Sequence, residues 1–128
     1  MDSLKIYTQS DVLSLVNQRN GEKKLGEMVL VATSIDDIAN STAKFVLLGI
    51  PEDIGVRANL GIGGAKTAWQ AALKSLLNIQ SDPFLVGDEI LVLGHFEIEE
   101  PTDISLQGLR NKTNEIDALV YPVIEKIV

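Results

Sequence analysis

At 128 residues the chain has the length of one domain, and with 45% hydrophobic against 23% charged residues it can bury a core, which excludes a disordered chain. A formal net charge of −7 excludes a phosphate-backbone partner, because nucleic-acid binding needs clustered Lys and Arg to displace counterions. The chain has no cysteine, hence no disulfide or thiol chemistry, and its apolar runs are too short for a signal or membrane segment, so a soluble, cytoplasmic protein is expected.

Taken in chain order, Ser10 is a good N-cap for a short helix over residues 11–17, which puts Val12, Leu13 and Val16 on one face. Residues 21–26 read as a loop, and 28–32 as a short apolar stretch with strand propensity. Ser34 and Asp37 have the spacing of a capping box and open a brief helix running to about Asn40. Residues 45–50 form an unalternated apolar run ending at Pro51, the pattern of a strand buried on both faces of a parallel sheet. Residues 52–64, with Gly55, Gly61, Gly63 and Gly64, read as a long loop, and loops of that length in compact domains are often functional. Residues 65–79 read as a helix with Ala68, Trp69, Ala72, Leu73 and Leu76 on one face, Trp69 as core rather than a ligand platform. After the break at Asp82 and Pro83, residues 89–94 repeat the buried-strand pattern, and 104–128 carry helical spacing that Pro122 is expected to kink or split. Strand, helix, strand, helix is an α/β pattern with the two strands parallel.

Chemistry is sparse. His95, the one histidine, lies just past the second strand, where α/β enzymes often place functional groups, but one histidine makes no metal centre and its reading is a polar strand-end residue. Gly61, Gly63 and Gly64 precede a helix without the lysine and hydroxyl of a P-loop or the spacing of a dinucleotide fingerprint. The acidic cluster Glu97, Glu99, Glu100 and Asp103 reads as a solvated loop.

One segment is more specific. Gly49-Ile50-Pro51-Glu52-Asp53-Ile54-Gly55, closing a buried strand, is similar to the G-[IV]-P-x-D-x-G element that opens the ureohydrolase family of arginases, agmatinases and formiminoglutamases. Its continuation through Gly55, Val56, Asn59, Gly61, Gly64 and Ala65 resembles the formiminoglutamase version; the position after Gly61, an arginine in that pattern, is Ile62 here, so the anion contact such an arginine would make lacks its residue. The likeness is densest over residues 45–96 and does not extend to the first forty or so.

The resemblance implies the N-terminal part of a three-layer α/β/α arginase-like fold with a parallel sheet, covering residues 45–128 behind an extension of short helices at 1–44. It implies a parent hydrolase of formimino or guanidino C–N bonds that holds two manganese ions through GGGH, D-x-H-x-D and D-x-D motifs. None of the three is in this chain, so it is expected to be a piece ending ahead of them, with no catalytic residue, metal ligand or cofactor of its own and no activity alone. The partners implied are the remainder of the parent chain and further copies in a homo-oligomer. In the loop at 52–64 the resemblance gives Asn59 the leading substrate-facing role, with Arg57 second as a carboxylate fork and Asp53 bracing the turn; the plainer reading pairs Arg57 with Glu52 or Asp53 on the surface. The alternative for the whole chain is a stand-alone, non-catalytic α/β interaction or regulatory domain.

Overall fold

A computed structural model describes residues 1–128. Its sheet has three strands: β3 (Ile90–Glu97) lies in the centre, β2 (Phe45–Gly49) runs parallel to it on one side, and β1 (Ser3–Ile6) runs antiparallel on the other. The unbroken apolar run of β3 fits its place, with Ile90, Leu91, Val92, Leu93 and Phe96 all buried. For β2 the expectation of burial on both faces is corrected. It has one neighbour, Phe45 is 62% exposed, and Val46, Leu47 and Leu48 are only partly covered. The antiparallel β1 is absent from the expected pattern, and its alternation puts Leu4 and Ile6 on one face and Lys5 on the other.

A bulge in β3 decides which side chains meet. Ile90 and Val92 pack with Leu73 and Leu77, whereas Leu91 and Leu93 pack with Ile38 and Ile127 on the opposite face. Leu47 pairs with Val92 but Leu48 pairs with Gly94, so the register slips by one residue. Gly94 has φ +151°, and a Cβ there would collide with the Lys5 carbonyl, so only glycine fits. After the slip His95 returns to the face of Val92, and Phe96 joins Ile54, Leu109, Ile116 and Val120 on the other.

Helices lie on both sheet faces. The helix α1 (Gln9–Leu13) starts earlier than expected and is capped by Thr8 rather than Ser10: Thr8 Oγ1 accepts from the Asp11 amide and Asp11 returns the bond to the Thr8 amide. A four-residue helix, α2 (Leu25–Met28), occupies the end of the expected loop, and the strand character expected at 28–32 survives as one parallel bridge from Leu30 to Leu91. Ser34 Oγ accepts from the Asp37 amide as its spacing predicts, opening a 3-10 turn over Asp36–Asn40. Within the expected loop at 52–64 the chain instead forms α3 (Ile54–Ala58), because Ile54 and Ala58, one turn apart, both bury against Phe96 and Leu109.

The helix α4 (Ala68–Leu77) follows a 3-10 turn over Ala65–Thr67 and buries Leu73 and Leu77, with Trp69 packed against the same cluster; Ala68 and Ala72 face outward, contrary to the expected stripe. The long α5 (Leu106–Ile127), capped by Ser105, buries Leu109, Ile116 and Val120 and continues through Pro122, so that of the kink or split expected there the split does not occur. No helix is long and apolar enough to cross a membrane. Residues 1–44 supply β1 and bury Tyr7, Val12, Leu25 and Ala32.

Candidate functional site

The carboxyl ends of β2 and β3 open onto the place where α/β folds bind ligands, and two polar clusters stand there on opposite sheet faces. The first is built by the segment leaving β2. Glu52 Oε2 accepts from the Gly55 amide at 2.9 Å, which caps the first turn of α3. Asp53 is 5% exposed, and its Oδ2 accepts from the Gly64 amide at 2.8 Å, so one carboxylate closes the whole excursion. Packing there is close: a Cβ on Gly63 would come within 2.7 Å of that same oxygen. The other oxygen, Oδ1, lies 3.6 Å from Arg57 Nε, and Arg57 Nη2 pairs with Glu100. None of these three atoms makes an aligned hydrogen bond, so Arg57 is held by charge rather than by a fitted fork.

Arg57 therefore spends its charge inside the protein. It pairs with Asp53, one of the two partners the plainer reading named, and also with Glu100 of the cluster read as solvated. Asn59 closes α3 with its backbone amide, while its exposed side chain makes no hydrogen bond. The two residues are i and i+2 on one helical turn and do not share a face. A small cavity of about 110 Å³ beside them is lined by Glu52, Asp53, Lys66 and Glu100 but by neither Arg57 nor Asn59. No group of three or more His, Cys, Asp or Glu side chains converges anywhere in the chain to hold a metal ion.

The second cluster, on the α1 and α4 face, joins residues from β3, α4 and the end of β1. Trp69 Nε1 donates to the Tyr7 hydroxyl at 3.0 Å, and the same hydroxyl meets His95 Nδ1; the Tyr7 and His95 rings meet edge to face at 5.4 Å. Gly49 lets this happen, because any side chain there would strike the Trp69 ring. Burial pushes the His95 pKa below its ordinary value, opposed by Glu97 and assisted by Lys5, so the imidazole is neutral at pH 7. Burial likewise raises the Tyr7 pKa against the Trp69 hydrogen bond, so the phenol keeps its proton. Tryptophan only donates, so the Tyr7 oxygen accepts from it; in the tautomer where the tyrosine proton goes to Nδ1, the imidazole proton sits on Nε2. Tyr7 carries no sequence signal that singles it out; its alternation with Ile6 in and out of the sheet is the one trace.

Comparison with protein-family models, with curated proteins and with solved structures found no match in any of the three.

Proposed function

We propose that the chain is the N-terminal part of a cytoplasmic, homo-oligomeric hydrolase of the arginase type, formimidoylglutamase-like, inactive by itself. In this reading it contributes the opening strands and helices of a three-layer α/β/α fold, and the free edge of β2 takes up further parallel strands. The observation that carries the reading is the element at residues 49–55, which matches the ureohydrolase pattern and leaves the carboxyl end of a strand in a parallel pair, with its aspartate, Asp53, tying the following segment together. Two manganese ions would supply the activated water in the parent. The residues here do not fit such a centre, so no step of the reaction is assigned to them. Their role is scaffold, with Asn59 facing substrate; Arg57, already paired with two carboxylates, serves to hold the loop and only secondarily to meet a ligand.

The test is to express the chain together with the sequence encoded downstream of Val128 and assay manganese-dependent hydrolysis of formimino and guanidino compounds. Activity is expected in the joined protein and not in the chain alone. In that parent Asn59→Ala should lower kcat/KM about tenfold or more, because a hydrogen bond to a charged group is worth roughly 1.5–3 kcal/mol. A downstream sequence without GGGH and D-x-H-x-D motifs would sink the reading. It would leave the second one, a non-catalytic interaction domain, which the internal pairing of Arg57 favours.

A further inference from the structure

Beside the Tyr7–His95–Trp69 cluster lies a cavity of about 150 Å³ whose lining includes Lys5, Tyr7, Asp11, Gln70 and His95. It is well below the roughly 300–1,000 Å³ of a drug-sized pocket, which limits an occupant to a handful of heavy atoms. Its lining is chemically two-sided. Lys5 makes no ion pair with any carboxylate of the chain. His95 is paired across the sheet with Lys5, and with Nδ1 taken by Tyr7 its Nε2 makes no hydrogen bond. The Gln70 amide likewise makes no hydrogen bond within the protein. The same cavity is lined by Asp11, whose Oδ2 accepts from the Thr8 amide and whose carboxylate makes no ion pair. The Thr8 amide and side chain hold the Asp11 carboxyl below its ordinary range against desolvation, Lys5 adding a smaller pull in the same direction without forming an ion pair.

Two opposite charges that line one cavity without pairing leave room between them that a dipolar molecule fits. We propose that this cavity is a binding site for a small zwitterion, its carboxylate held by Lys5 with the His95 Nε2–H and the Gln70 amide, its ammonium by Asp11. A simple anion gains the donors but meets the Asp11 carboxylate, and a simple cation gains Asp11 but meets Lys5. A molecule carrying both ends satisfies the site, and charge-assisted bonds at both ends give it selectivity. The Gly94 bulge is what makes the site, since it turns His95 onto the face where Lys5 and Tyr7 stand. This cavity lies on the α1 and α4 side of the sheet and is independent of the loop assigned a role above.

Amide chemical-shift titrations of the full chain with glycine, acetate and methylammonium test this. Glycine is expected to give saturable shifts at Lys5, Asp11 and His95 at about 10 mM or below, tenfold or more tighter than either one-ended probe. Lys5→Met should weaken glycine and acetate together by about tenfold. Asp11→Asn keeps an acceptor for the Thr8 amide; it should weaken glycine by a similar factor while leaving acetate as tight as before or tighter, and retained acetate binding shows that this variant is folded. The proposal is overturned if glycine gives no saturable shift in the wild type, if acetate binds as well as glycine, or if Asp11→Asn leaves glycine unchanged.

Discussion

The two clusters at the carboxyl ends of β2 and β3 share a position in the fold and differ in what they leave free. On the α3 and α5 side, Asp53, Arg57 and Glu100 are charged and consume one another. On the α1 and α4 side, Tyr7, His95 and Trp69 are neutral and form a chain of hydrogen bonds that leaves the His95 Nε2 unused, with an unpaired lysine beside it. A strand end in an α/β fold is a good place to look for a ligand. Within that place, the group with spare valence is the better candidate than the group with the greater charge. A guanidinium already facing two carboxylates has little left to offer a third, whereas a neutral imidazole with one ring nitrogen unpartnered offers a directed polar group without first breaking an ion pair.

The sharpest way to break the contrast is to remove the bulge that separates the clusters. Gly94→Ala places a Cβ into the Lys5 carbonyl at a backbone angle that side chains rarely adopt. The cost is expected to be about 3 kcal/mol or more, from strain together with a collision that only a shift of β1 relieves. Urea denaturation should show it as a lowered midpoint or as failure to fold. Wild-type stability in the Gly94→Ala variant would mean that the β1 to β3 register differs from the one described.

A smaller effect is expected from the ionic side. Arg57→Ala leaves Asp53 buried with the Gly64 amide but without a cation, and because the Arg57 side chain is 28% exposed, water replaces part of what is lost. A loss of about 1–2 kcal/mol is expected, against less than about 0.5 kcal/mol for Glu100→Gln, whose side chain is 47% exposed. Equal losses in thermal unfolding would place the pairing energy with Glu100 and leave Asp53 satisfied by the loop amide alone.

How far these regions were legible in the sequence follows from what their residues contact. The core of β3 and the helices α4 and α5 are written in apolar runs and in spacing of three and four, because each buries several side chains of its own. The short helix α3 is hidden, since only Ile54 and Ala58 reach the core and glycines surround it. The strand β1 is four residues long, and its pairing is fixed by β3 rather than by its own pattern. In the ionic cluster, a bracing role for Asp53 is expected only through the family resemblance, and Glu100 joins through the folding of a distant segment. The neutral cluster is the least legible. Side-chain alternation counted along β3 puts His95 on the α5 face, and only the slip at Gly94 brings it to Tyr7 and Trp69.

The neutral side should also announce itself by pH, although the effect is the smallest of the three. Burial lowers the His95 pKa in the folded chain below the ordinary value of 6.5, against the pull of Glu97 and with the help of Lys5. Between the folded and unfolded values the unfolded chain binds more protons, so stability rises with pH. The contribution is complete above about pH 6.5 and is lost as pH falls through the lower folded value. Other groups with lowered folded values, Asp2, Asp11, Glu89 and Asp103, start from 3.8 or 4.5 and act only in stronger acid, so the histidine has its own window. Denaturation at about pH 7.5 and about pH 5.5 should show wild type weakening over that interval and His95→Gln holding steady. Tyr7→Phe removes the acceptor of Trp69 and the partner of Nδ1 together and should cost about 1 kcal/mol at the higher pH. If wild type and His95→Gln lost stability equally over the interval, His95 would take up its proton alike in the folded and unfolded chains, and burial at His95 would no longer set the neutral cluster apart from the ionic one.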